Sequence, residues 1–227
     1  MAPEPDLPTT AREPSAGVSA VLLSWKRPSN IPKIVDELRS VSFIKEIIVW
    51  NNNADLKLDC PGSKVINSSH NFMPFARISA ATLATQNTIL FQDDDFLFPK
   101  RSLEFAYENY LKDESRIYGT KGRNLKNGQY NLDYILGECD IVLGQFMLFN
   151  KQLLANALPD ILKIMPFDRG DDIAFCLLCN TKHVALGLEF EDLGIRDEFS
   201  LFRQEGHAEK RQMMVDRVMK LKQRNGG

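Results

Sequence analysis

Residues 88–98, TILFQDDDFLF, constrain the fold of this chain more than any other stretch. An apolar run of strand length ends in Asp93, Asp94 and Asp95, and apolar residues resume at once before Pro99. Three neighbouring carboxylates repel one another, so seating them among hydrophobic residues requires a cation nearby. Oxygen-only ligands of this kind suit a hard divalent ion, Mn2+ or Mg2+. If the run is a buried parallel strand, the acids lie at its carboxyl end, where open α/β sheets bind their ligands. A strand followed by a plain acidic turn fits the same residues, because Asp is a common turn residue. The triplet alone does not choose between the two.

The rest of the chain supplies the remainder of such a sheet. VSAVLLS at 18–24 reads as a first buried strand that empties into a polar loop carrying Lys26 and Arg27. Asn30 is placed to cap a helix whose inward face is Ile31, Ile34, Val35 and Leu38. A second strand ends at Trp50 and stops at three asparagines, 51–53. Strand, helix and strand within this length make a βαβ unit, so the sheet is expected to start parallel. A short third strand at 64–67 and a helix holding Phe75, Ile78 and Leu83 lead into the acidic strand. Beyond it we expect a helix at 102–111, a strand at 117–123 with an Asn127-Gly128 turn, and a long central strand at 141–149. Two short helical pieces separated by Pro159 should follow, then a second acid pair, Asp171 and Asp172, opening a helix. Residues 206–224 have the spacing of an amphipathic terminal helix that packs on its own domain.

Several classes of function are excluded. A formal net charge of −2 leaves no electrostatic footprint for general nucleic-acid binding. Four cysteines are too few and too scattered for a disulfide scaffold. Cys176 and Cys179 form a C-x-x-C inside an apolar segment and read as small core residues. No stretch is long and apolar enough to span a bilayer. Residues 1–17, rich in Pro, Glu and Thr, read as a disordered leader without the apolar core of a signal peptide. Residues 18–227 read as a single α/β domain, with a mixed, mainly parallel sheet flanked by helices.

Polar loops after the first two strands, a triple acid after a later one, and an acid pair opening a helix would all meet at one cleft. This ordered set resembles the GT-A (Rossmann-like) fold of nucleotide-sugar glycosyltransferases, and in particular glycosyltransferase family 64, the exostosin-like N-acetylhexosaminyltransferases. The residues that carry the resemblance are the Arg27 loop, 48–52, Arg77 sixteen positions ahead of Asp93, the Asp93–Asp95 run, the Gly144 strand, and Asp171-Asp172-Ile173-Ala174. The resemblance implies that 18–98 is the half that binds the nucleotide sugar. It implies that 99–227 is the acceptor half with a closing helix. It also implies Asp95 as the direct ligand of Mn2+ or Mg2+, with Asp93 and Asp94 facing the ribose and the donor sugar. Arg27, Asn51 and Arg77 would hold the nucleotide, with Asn71 as a further contact one place out of register. Asp172, with Asp171 beside it, would stand at the reacting centre, and Arg211 with His207 would close over the diphosphate. Each has a plainer reading: Arg77 as a surface helix cation, the acid pair as partners of a helix dipole, and His207 and Arg211 as neighbours on an exposed helix.

The resemblance thus implies a metal-dependent retaining transfer of a hexosyl group. The donor would be UDP-N-acetylhexosamine or a UDP-hexose, and the acceptor a hydroxyl of a glycan or glycolipid. A GDP-sugar donor, or a silent module that binds nucleotide or glycan without turnover, remains the alternative. One departure stands out. Where the relatives have a cysteine that takes part in a disulfide, this chain has Gly170. The resemblance points to the secretory pathway and the composition suits the cytoplasm, so compartment stays open, as does oligomeric state.

Overall fold

A computed structural model describes residues 17–165 and 168–225. The expected leader, apart from Gly17, lies outside the described residues. The first half runs β1 (Val18–Ser24), α1 (Asn30–Arg39), β2 (Ile44–Asn51), β3 (Lys64–Asn67), α2 (Ala76–Thr82), β4 (Thr88–Gln92) and β5 (Phe96–Leu97). It continues through α3 (Lys100–Tyr110), β6 (Tyr118–Gly119), β7 (Gly122–Arg123), β8 (Leu125–Lys126), β9 (Gln129–Tyr130), β10 (Gly137–Cys139), β11 (Ile141–Val142) and β12 (Phe146–Asn150). Last come α4 (Lys151–Ile164), α5 (Asp171–Leu178), β13 (His183–Ala185), β14 (Glu191–Asp192), a 3-10 turn (Leu201–Arg203) and α6 (His207–Asn225).

Eight strands form one sheet in the order β10-β13-β6-β12-β4-β1-β2-β3. β1 is parallel to both β2 and β4, and β2 to β3, while β12 enters antiparallel between β4 and β6. The apolar runs of β1 and β4 are buried on both faces, as central strands of a covered sheet must be. Leu22, Leu90 and Leu148 pack with Ile31, Ile34 and Leu38 of α1 and Leu103 and Ala106 of α3. Val21, Phe91 and Phe149 pack on the other face, with Ile78 of α2, Ile161 of α4, Phe175 of α5 and Val215 of α6. α1 carries the chain from β1 outward to β2 on one face. α2 returns it on the other face to β4, on the far side of β1. The β1/β4 seam is therefore the switch point of the sheet, and both strands end there at the same edge.

Four expectations need correction. The segment 141–149 is not one strand: it breaks at Leu143–Gln145 into β11, paired with β7, and β12, paired with β4 and β6. Gly144 lies in that break, where its carbonyl accepts from Arg77 and its N–H donates to Asp172. A continuous ladder would leave both side chains without these partners. Pro159 does not divide α4, which runs unbroken through it. An interior proline costs about 3 kcal/mol or more, but Leu154, Ala157, Ile161 and Ile164 are all buried on one side of this helix and outweigh that cost. Asn30 does not cap α1. The chain enters at Ser29, and the Asn30 amide instead donates to the carbonyls of Asp94 (2.9 Å) and Leu193 (2.8 Å), tying the two halves together. The strand expected at 117–123 is likewise two short pieces, β6 and β7.

All four cysteines are free and buried. Burial pushes the Cys179 thiol up to about 12, as it does Cys139, so both pack as apolar residues. Among the described residues no helix is long and apolar enough to cross a membrane.

Candidate active site

The ends of β1, β2 and β4 and the start of α5 open onto a cavity of about 580 Å3. Asp93, Asp94, Asp95, Asp171 and Asp172 all line it, as do Arg27, Arg77, Asn71, His207 and Arg211. A single site thus collects residues from both halves of the chain. Asn51 is the exception. Its side-chain amide donates within its own turn to Leu56 O (2.6 Å) and to Asn67 Oδ1 (2.9 Å), and it does not line the cavity. Its neighbour Asn52 lines the cavity instead, because successive residues at a strand end face opposite sides.

Two buried arginines organise the acids. Arg77, only 5% exposed, is no surface cation. Its Nη2 donates to Asp93 Oδ1 at 2.7 Å and its Nη1 to Gly144 O at 2.7 Å, while its Nε lies 3.0 Å from Asp171 Oδ2. One guanidinium therefore joins the triple acid, the glycine break and the acid pair. Arg27 donates from Nη1 to Asp94 Oδ1 (2.9 Å) and grips Asp197 through Nε (2.6 Å) and Nη2 (2.5 Å), with Nη2 also reaching Ser200 Oγ (3.1 Å). Burial opposes the charge of both arginines, yet the facing carboxylates hold each pKa above its ordinary value. A third arginine, Arg211, donates to Asp172 Oδ2 (2.8 Å) and Tyr130 Oη (2.6 Å).

The acids differ in how well they are paired. Burial lifts Asp94 to about 6 against the pull of Arg27. Asp95 is pushed up to about 8 by burial and then by Asp93 and Asp94, with Arg27 only 3.7 Å away in partial compensation. Burial lifts Asp171 to about 6. For Asp172 burial works the same way, but Arg211 and the backbone N–H groups of Ile173 and Gly144 overcome it and leave it below the usual carboxylate range. The two members of the acid pair are thus driven apart, one staying charged and one able to take a proton near neutrality.

Asp95 Oδ1 is buried and has no hydrogen-bond partner. A carboxylate oxygen left bare among three acids is the donor chemistry that a hard divalent cation fits. Among the described residues no group of three or more His, Cys, Asp and Glu side chains converges into a full cage. Such an ion would therefore take few ligands from the protein and the rest from substrate oxygens and water, which is the habit of Mg2+ at phosphate sites.

Sequence reasoning missed Asp197 and Ser200, which hold Arg27, and Arg169, Arg123 and Tyr130, which line the cavity. Asp197 and Ser200 lie in a loop whose meaning depends on Arg27, 170 positions earlier, and no local pattern announces that pairing. Two cations, Lys121 and Arg123, followed closely by Tyr130 and Tyr134 did carry a signal. Lys121 stands over the Tyr134 ring at 5.0 Å, and Arg123 over Tyr130 and Tyr134 at 5.2 and 4.5 Å.

The model of the glycosyl transferase family 64 domain matches residues 18–222 of this chain. The chain belongs to glycosyl transferase family 64. This domain is accordingly a glycosyltransferase, and its sheet has the GT-A arrangement. Comparison with the curated proteins finds no match. Among solved structures, the family 64 domain is similar to the mannosyltransferase PcManGT from Pyrobaculum calidifontis in complex with GDP-Man and Mn2+. The TM-score is 0.55 at 12% identity, over 95% of this chain and 73% of that one. It is also similar to S. aureus TarS 1-349 in complex with UDP-GlcNAc. There the TM-score is 0.58 at 16% identity, over 89% of this chain and 66% of that one, just under two thirds of its length. At these identities the likeness is one of fold.

Proposed function

We propose that this domain transfers a sugar from a nucleoside diphosphate sugar to a hydroxyl of a glycan or glycolipid, with a divalent cation at Asp95. The observation that carries the reading is the bare, buried Oδ1 of Asp95, the last of the three consecutive acids, in the same cavity as Asp171 and Asp172. Both structural relatives hold nucleotide sugars, one of them with Mn2+, and this supports the reading without choosing uracil or guanine. When bound, Mn2+ or Mg2+ would neutralise the charge that develops on the departing diphosphate.

The chain's own residues do the rest. Arg27 and Arg77 hold Asp94 and Asp93 in place and are themselves held by them, so the acidic face is rigid before the donor arrives. Asp172, kept charged by Arg211, sets a fixed negative charge beside the reacting centre, where a sugar approaching an oxocarbenium ion becomes positive. Asp171 has the protonation range to accept a proton from an acceptor hydroxyl near neutrality. Arg211 and His207, at the start of α6, face the departing diphosphate. Tyr134, 57% exposed with Lys121 against its ring, offers a stacking face to the acceptor. The family resemblance supports retention of configuration as part of this reading.

The test is hydrolysis and transfer of UDP- and GDP-sugars by purified protein, with and without Mn2+. Asp95→Ala and Asp172→Ala should each lower turnover about 100-fold or more, the effect of removing one transition-state charge stabiliser at ~3 kcal/mol. Turnover equal to that of the parent in both variants would refute the assignment. Competition between UDP and GDP identifies the base.

A further inference from the structure

Arg169 is 4% exposed and lines the same cavity three residues before Asp172. Its Nη2 donates to Gln204 Oε1 at 3.1 Å and lies 3.5 Å from Asp168 Oδ2. Asp168 is itself shared with Lys210, at 2.7 Å. The Nε and Nη1 of Arg169 are buried and have no partner. A guanidinium carries five N–H donors and keeps its charge, and leaving several of them buried and unfilled is costly. Beside it, His207 Nδ1 is also buried without a partner. Arg169 and Arg211 both depress the His207 pKa, after burial, so the three lie within electrostatic reach of one another. This part of the cavity wall thus holds a buried guanidinium with two unfilled nitrogens, near an imidazole nitrogen that also lacks a partner.

We propose that Arg169 is a phosphate-binding residue, whose unfilled N–H groups take a non-bridging oxygen of the donor's distal phosphate. The inference rests on the nucleotide-sugar reading above and adds a residue to it. The sugar's reacting carbon is bonded to an oxygen of that phosphate, so a sugar centred at Asp172 keeps the phosphate within one bond of the reacting atom. A fixed cation three residues away on the same wall then meets charge that grows as the bond breaks. An acidic group on the acceptor would offer the same oxyanion chemistry, and the experiment separates the two sources.

Titration calorimetry with Mn2+ would compare the diphosphate and monophosphate of uridine and of guanosine on the parent, Arg169→Gln and Arg169→Lys. Arg169→Gln should weaken binding of the favoured nucleoside diphosphate tenfold or more and leave the monophosphate within about twofold, with part of the loss restored by Arg169→Lys. Loss of diphosphate and monophosphate binding by the same factor would mean that Arg169 only supports the fold, and would overturn the proposal. Unchanged diphosphate affinity with a raised KM for an anionic acceptor would overturn it in favour of the acceptor. If Arg169→Gln does not fold, Arg169→Lys carries the comparison: it keeps the charge but loses the planar fork, so its diphosphate affinity should fall while its monophosphate affinity holds. If the parent binds neither UDP nor GDP, it is the nucleotide-sugar reading that has failed, before any variant is compared.

Discussion

Arg77 is the residue on which the site's geometry most depends. It is the only cation paired with both Asp93 and Asp171 among the described residues, and it also fixes the Gly144 carbonyl. Removing one partner of a buried ion pair costs roughly 3–5 kcal/mol, so Arg77→Met should lower Tm by ten degrees or so, at about 2–4 °C per kcal/mol for a domain this size. A melting point within two degrees of the parent would mean that the acids do not need it. Asp95 makes the opposite prediction. Its folded pKa, about 8, lies above its ordinary value of 3.8. Below pH 4 the carboxyl is protonated in both folded and unfolded chains and makes no difference. As pH rises from 4 to 8 the unfolded chain ionises and the folded one resists, so stability is lost across that window. Metal-free parent should therefore lose Tm relative to Asp95→Asn between pH 5 and 8. Parallel melting curves would contradict the crowding of charge at this position.

At the scale of elements, the entry to α5 deserves a direct test. Gly170 sits at φ 89° immediately before Asp171 and Asp172, and a Cβ there would come within 3.0 Å of Met214 Cγ on α6. Gly170→Ala should cost about 1–2 kcal/mol from the left-handed backbone alone, and should depress turnover because the acid pair moves with the turn. Denaturant unfolding equal to that of the parent would show that the turn relaxes freely. The elements themselves were largely legible. The helical spacing of Ile31, Ile34, Val35 and Leu38 marked a face that is fully buried, and the apolar run of β4 marked a central strand. What could not be read were elements broken or joined by distant partners. Nothing near Gly144 announces that its carbonyl belongs to Arg77. The tolerance of Pro159 depends on how much of α4 is buried, a property of the packed helix rather than of the residue.

Across the whole molecule, the two halves meet through polar contacts at the site: Arg27 to Asp197, Asn30 to Leu193, and Arg77 to Asp171. Most candidate residues were legible one by one because they follow a strand or lie in the first turns of a helix, where α/β sheets collect ligands. Their pairing was not, because the partners stand far apart in sequence. Asn51 shows the limit of strand-end reasoning: moving by one residue turns a side chain from the cavity to its own loop. The proposed function stands or falls on whether the end of β4 binds a diphosphate through a divalent ion. The most direct measurement is an anomalous difference map from crystals grown with Mn2+ and uridine or guanosine diphosphate. The expected result is a manganese peak in contact with the Asp95 carboxylate and with oxygens of the diphosphate. A nucleotide bound with no metal at Asp95, or a metal bound elsewhere in the cavity, would contradict it.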